Sequence, residues 1–341
     1  MKNKYTYTFS ILIVILLFCF FANISLGSIS IPFKSIFSSF SANSDNYTSQ
    51  EYIIQNYRLP KAITAILVGS GLGISGLLMQ TLFRNPLAGP FVLGITSGAS
   101  LGVALLIMGS SVFGGFFATL LISKWSLVIA ASLGSFLVLL TVLIVSSRVR
   151  DTMAILIIGL MFGSITAAVV SVLSYFSSAE ELQQYIFWGF GSLGDLQWEE
   201  VKIFAIIYTI GIVFSIGSIK ALNTLLLGEN YAKSLGLNLK QSRIAIIIAT
   251  SLLAGTITAF AGPIAFIGLA IPHMIRQIFN TSNHKILIPA VFLFGAIVML
   301  VCDSIAQLPN TDYTLPINAI TSLIGAPVVV WLLVRKRKMV F

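Results

Sequence analysis

Apolar runs of about twenty residues follow one another along the whole chain, almost free of charge. They lie at residues 8–28, 60–82, 91–110, 125–146, 152–176, 200–220, 243–261, 263–279, 285–306 and 315–334. A helix needs about 20 apolar residues to cross a hydrocarbon layer of about 30 Å. Lipid offers no hydrogen bonds, so only helices and closed barrels can span it. Runs that do not alternate apolar with polar are helices rather than barrel strands. The expected fold class is therefore all-α, a polytopic membrane protein of about ten transmembrane helices. The stretch Ser111 to Ser123 is also apolar and could move the count by one. Only 9% of the 341 residues are charged, against about 25% in soluble domains. No polar stretch is long enough for a soluble domain, so residues 1–341 read as one transmembrane domain.

Charge gives the orientation. With the N-terminus in the cytoplasm and the spans alternating, 15 of the 20 Lys and Arg residues fall inside. Lys34, Arg58, Lys61, Lys124 and Lys202 fall outside. Basic residues accumulate on cytoplasmic loops, so both termini are expected there and the number of crossings is expected to be even. The same rule accounts for the net charge of +9 without a nucleic-acid partner. Residues 1–4 are basic and residues 10–21 apolar, as in a secretory signal. No clean cleavage site follows, so a retained first span is expected. Cys19 and Cys302 lie far apart in apolar runs and have no disulfide or metal spacing.

Gly71, Gly73 and Gly76 spell G-x-G-x-x-G. That fingerprint binds dinucleotides only between a strand and a helix, and here it lies inside a spanning run. Helix packing explains it better. Gly69 and Gly73, and then Gly94, Gly98 and Gly102, are small-xxx-small pairs that let helix backbones approach closely in lipid. A weak internal echo pairs Ala88-Gly89-Pro90 and Gly94 with Ala261-Gly262-Pro263 and Gly268. The two copies fall on opposite sides of the membrane, as an inverted repeat would place them.

No phosphate-binding G-x-x-x-x-G-K-[ST] loop, nucleophile–His–acid set or metal cluster occurs. The chain is expected to be no enzyme, to hold no cofactor and no metal, and to hydrolyse no ATP itself. His273 and His284, near a cytoplasmic boundary, read as structural. Asp303 is the one clear acid within a span, and a proton- or sodium-coupled carrier would carry more. The driving energy is expected to come from a partner. The segment Gly228, Glu229, Asn230, Tyr231, Ala232, Lys233, Ser234, Leu235 and Gly236 lies in a cytoplasmic loop. Glu229 and Lys233 have favourable i,i+4 spacing, and Gly236 can end a helix. Spacing alone leaves open whether this is a docking helix or an ordinary surface turn.

Several runs resemble the FecCD-type permeases of iron-siderophore, haem and cobalamin ABC importers. Arg58-Leu59-Pro60-Lys61 resembles R-L-P-R. Gly76 to Gln80, with Arg84-Asn85-Pro86-Leu87-Ala88 and Pro90, resembles G-x-x-x-Q followed by R-N-P-L-A-x-P. Trp188, Gly191-Ser192-Leu193 and Trp198 resemble the W-x-x-G-S-L element. Gly262 to Leu269, with Pro272-His273 and Arg276, resembles G-x-I-x-F-x-G-L-x-x-P-H-x-x-R, and Gly325-Ala326-Pro327 closes the pattern.

The resemblance implies ten spans with inverted repeats in the bacterial cytoplasmic membrane. It implies a second permease chain, identical or different, two cytoplasmic ATPase subunits and an extracytoplasmic substrate-binding protein. Gly228, Glu229, Ala232, Lys233, Leu235 and Gly236 would contact the ATPase. Asn85, Leu87 and Thr152 would stand near the cytoplasmic gate. Arg58 and Lys61 would meet acids of the binding protein. An iron chelate of the siderophore type is the expected substrate, with haem or cobalamin as alternatives, and a secondary transporter working alone is the alternative outside this class. The sequence departs from the pattern at Asn283, Thr314 and Asn318, and Gln307 replaces a basic residue of the cobalamin permease.

Overall fold

The computed structural model describes residues 2–41, 48–109, 124–148, 152–309, 311 and 313–334. Among these residues the secondary structure is helical throughout, with no strand. The helices are α1 (Lys2–Ser25), α2 (Phe33–Ser41), α3 (Ser49–Ile53), α4 (Leu59–Leu82), α5 (Ile95–Ile107), α6 (Lys124–Arg148), α7 (Thr152–Phe176) and α8 (Ala179–Gly189). They continue with α9 (Trp198–Gly217), α10 (Ile219–Leu225), α11 (Glu229–Ser234), α12 (Leu239–Ala261), α13 (Ile267–Phe279), α14 (His284–Ala306) and α15 (Ile317–Val334). A π turn, Ile54–Arg58, joins α3 to α4 without a break.

A helix stands at each of the ten apolar runs, and seven are long and apolar enough to cross a membrane. Of the other three among the described residues, the last run holds a shorter apolar helix, Ile317–Trp331, and the remaining two are instructive. The runs at 91–110 and 263–279 form helices of only 13 residues, α5 and α13. At 1.5 Å per residue each covers about 20 Å, roughly two thirds of the hydrocarbon layer. Proline and left-handed residues shorten them. Pro90 opens a 3₁₀ turn that ends at Gly94 (φ 71°), and Phe266 (φ 64°) sets the start of α13. The second span also begins earlier than its composition suggests, because α3 and the π turn extend it back to Ser49. The stretch Ser111 to Ser123 lies outside the described residues.

α4 is the axis of the bundle. Every residue from Val68 to Phe83 is buried, against α14, α12, α13 and α9. In lipid, helices gain little from apolar burial, so close backbone contact must hold them. A Cβ on Gly69 would stand 2.2 Å from Gly295 O, and one on Gly295 would stand 2.4 Å from Gly69 O. A Cβ on Gly76 would stand 1.7 Å from Gly268 O. α5 and α6 repeat the device through Gly98 and Gly134, at 2.5 and 2.0 Å.

The inverted repeat is visible in this packing. α4 and α12 run antiparallel: Gly71 faces Ile257, while Arg84 and Arg243 both lie beside α11. Each long helix is followed by a short one that starts at mid-depth. Ile95 begins α5 beside Gly255 and Ser135, and its last residue, Ile107, lies at the end marked by Trp188 and Ala261. α13 begins beside Leu72 and Gly76 and ends with Phe279 against Tyr5 and Phe9, at the opposite end. The echo of Ala88-Gly89-Pro90 in Ala261-Gly262-Pro263 falls on these equivalent loops. Conformationally, however, the counterpart of Gly94 is Phe266 and not Gly268. Asn318 Oδ1 accepts from Ala265 N at 3.1 Å, and Gly325 leaves room beneath the Phe266 Cβ, which hold that strained residue.

The Gly76 contact gives a sharp test. Gly76→Ala is expected to cost about 3 kcal/mol, because the added methyl drives α4 off α13. Gly217→Ala meets nothing within 4 Å and should leave stability unchanged or slightly raised. Thermal unfolding of both purified variants in detergent checks this, and equal behaviour would contradict the packing described.

Candidate functional site

Two polar regions lie at the two ends of the bundle. The first is built around α11. Gly228, at φ 100°, turns the chain into this helix, and Gly236, at φ 83°, ends it. Gly236 N donates to Lys233 O at 2.9 Å and Leu237 N to Ala232 O at 3.0 Å, which closes the helix in a Schellman motif. Ala232 is fully buried beneath it. Glu229 Oε1 accepts from Arg243 Nη2 at 2.6 Å, pinning the helix start to α12. Leu227, Tyr231 and Leu235 are each more than half exposed, at 60, 58 and 59%. A six-residue helix with a buried, ion-paired inner side thus turns an apolar face outward.

The loop after α4 lies beside it, with the Arg84 guanidinium 3.5 Å from where a Gly228 Cβ would be. Arg84 is left-handed, at φ 47°. Asn85 Oδ1 accepts from Leu87 N at 2.9 Å, and Asn85 N donates to Gln80 O at 3.1 Å. This turn leaves Leu87 and, further on, Phe91 exposed. It is tied to α13 by His273, whose Nε2 lies 2.8 Å from Pro86 O. Thr152 opens α7; its side chain lies outside what the structure describes.

The opposite end centres on Asp303, which is 2% exposed. Its Oδ1 lies 3.2 Å from Lys61 Nζ. Its Oδ2 accepts from Asn23 Nδ2 at 2.9 Å and from Gln307 Nε2 at 2.7 Å. The carboxylate therefore ties α1, α4 and α14 together. Arg58 donates to Ile24 O at 2.7 Å, to Ser25 O at 2.9 Å and to Ile29 O. It closes the orphan carbonyls where α1 ends. Arg58 and Lys61 line a crevice of about 260 Å³ together with Tyr57, Gln307, Thr311 and Thr314.

With this geometry in place, residues 15–335 match the model of the FecCD transport family. The chain belongs to that family. Among similar FecCD proteins is the hemin transport system permease protein HmuU of Yersinia pestis, 32% identical over 96% of this chain and 95% of that protein. The vitamin B12 import system permease protein BtuC of Klebsiella pneumoniae is 36% identical over 84% of each chain. A solved metal-chelate type ABC transporter in an inward-facing conformation superposes with a TM-score of 0.82 at 30% identity, covering 97% of this chain and 99% of that one. PsaBC from Streptococcus pneumoniae, at 18% identity and a TM-score of 0.53, shares the fold alone.

In this FecCD permease the α11 residues are brought together, with Asn85 and Leu87 of the loop after α4 close by. Arg58 and Lys61 also meet, but most of their bonding capacity is directed inward. Sequence reasoning singled out Asp303 and Lys61 without joining them, since 242 positions separate the pair (303 − 61). It missed Asn23, Arg243 and Asn223 altogether. Each is a polar residue at a helix end in an apolar chain, and that is the signal that could have found them.

The Lys61–Asp303 pair can be tested by unbalancing it. Lys61→Met leaves a buried carboxylate without its cation and should cost about 3 kcal/mol of stability. Adding Asp303→Asn should restore most of it, because the amide removes the unpaired charge while its oxygen can still accept from Asn23 and Gln307. Thermal unfolding of the two variants decides; a single Lys61→Met variant as stable as the wild type would remove the structural role.

Proposed function

We propose that this chain is the permease subunit of an ATP-driven importer. It carries an iron chelate of the siderophore type across the bacterial cytoplasmic membrane, with both termini in the cytoplasm. It works beside a second permease chain, two cytoplasmic ATPase subunits and an extracytoplasmic binding protein. The observation that carries this reading is α11, whose inner side is anchored by Ala232 and by Glu229–Arg243 while Leu227, Tyr231 and Leu235 face water. Apolar groups gathered on a polar loop mark a protein contact, and the chain has no phosphate-binding loop of its own. The ATPase subunit is the occupant the family relationship favours. Membership supports a haem, cobalamin or metal-chelate cargo; among these, Gln307 in place of a basic residue speaks against cobalamin. Haem remains the second reading, favoured by the similarity to HmuU.

α7 exposes Ile157, Leu160, Met161, Ile165, Val169 and Val172 along its length. That stripe suits lipid or the second permease chain, and the gate formed by Asn85, Leu87 and Thr152 would lie near it. The crevice at Arg58 and Lys61 suits a carboxylate of the binding protein. Rim charges of this kind chiefly set association rate and its salt dependence.

The transporter reconstituted in vesicles with its ATPase and binding protein tests the reading. Ferric trishydroxamate uptake should require ATP and survive collapse of the proton gradient; haemin and cyanocobalamin are the competing cargoes. Ala232→Asp and Gly236→Pro should abolish uptake while ATP hydrolysis continues. Proline cannot adopt the positive φ of Gly236, and a carboxylate has no room at the buried Ala232. Uptake driven by an ion gradient without any ATPase would overturn the proposal.

A further inference from the structure

α11 is held to α12 by the Glu229–Arg243 pair and preceded in the chain by α10, and α10 carries an unusual bond. Leu222 and Leu225 seat this short helix on the bundle, at 0 and 3% exposure. Asn223, between them, reaches across to the start of α14. Its Oδ1 accepts from the backbone N of His284 at 2.9 Å and lies 2.8 Å from His284 Nδ1. Its Nδ2 donates to Asn283 Oδ1 at 3.1 Å. The first amides of a helix have no partner within it. Here one of them is capped by a side chain from another helix, while Asn283 Oδ1 caps Lys285 N at 3.0 Å. Sliding α10 against α14 would break three hydrogen bonds at once.

The fully buried His284 side chain carries the connection inward. Asn223 Oδ1 can only accept, so Nδ1 bears the proton. In the neutral ring Nε2 then accepts, and it lies 2.9 Å from the Thr81 hydroxyl of α4. Thr81 Oγ1 also lies 2.9 Å from Leu77 O and receives Arg276 Nη2 of α13 at 3.3 Å. One turn earlier on α13, His273 holds Pro86 of the gate loop. α10, α14, α4, α13 and the gate loop are thus linked, in that order, by polar contacts that are part-buried at the outer joints and buried at His284–Thr81–Arg276. A half-broken buried polar network is costly, so such a link resists partial opening.

We propose that Asn223 and His284 are positioning residues that form the joint through which a displacement of α11 reaches the gate loop. This rests on the reading of α11 as the ATPase contact. The test uses the whole transporter in vesicles, with its ATPase and binding protein. It counts ATP hydrolysed per chelate imported, with ferric trishydroxamate, haemin and cyanocobalamin each supplied as cargo. Asn223→Ala removes all three bonds, whereas Asn223→Asp keeps both acceptor contacts and loses only the donor. The ratio should rise about 10-fold in Asn223→Ala, the scale of coupling energies between linked sites, and stay within about 2-fold of wild type in Asn223→Asp. Asn223→Ala combined with His284→Ala should be no worse than either alone, since both cut one link.

A purely structural role would lower hydrolysis and uptake together and leave the ratio fixed; that result overturns the proposal. If the α11 variants Ala232→Asp and Gly236→Pro raise the ratio but Asn223→Ala does not, the joint is wrong and the α11 contact stands. If neither set raises it, both fall.

Discussion

Close approach of glycine-lined helices to α4 is the constraint on which everything else depends. Lipid supplies no drive to bury apolar side chains between helices, so a bundle in this solvent must be held by contact distance. α4 places Gly69 against Gly295 and Gly76 against Gly268, backbone to backbone. Side chains at those four positions would open the centre of the bundle. α13 begins at the Gly268 contact, so the depth at which this short helix starts is set there.

The dry middle confines polar chemistry to the two ends. At one end Asp303 gathers Lys61, Asn23 and Gln307; at the other Asn223, His284, Thr81 and Arg276 meet. The midsection has few such links, among them the 2.6 Å contact of Ser70 Oγ with Tyr208 OH between α4 and α9.

Much of the fold was legible in the sequence, because span length is set by the solvent itself. All ten apolar runs carry helices, and the G-x-G-x-x-G run is a packing surface, as its place in a span implied. The half-length of α5 and α13 was not legible. It depends on Gly94 and Phe266 being left-handed, and a phenylalanine gives no sign of that. Glu229, Ala232 and Gly236 could be placed on a short helix from local spacing. The partners of Arg58 and Lys61 could not: carbonyls of α1 and the distant Asp303 are tertiary neighbours that no spacing encodes. The departures at Gln307, Asn318 and Asn283 likewise looked like losses from a pattern. Each has gained a bond, to Asp303, to the loop before α13 and to Asn223.

The central claim is that the permease is driven through α11 by a separate ATPase. A photo-crosslinking residue in place of Tyr231, in native membranes, reads this directly, with one in place of Tyr175 at the far end of α7 as the control; that side chain is 83% exposed. The account predicts an adduct with a nucleotide-binding ATPase chain from position 231 and none from position 175. No ATPase adduct at 231, or equal adducts from both positions, would contradict it.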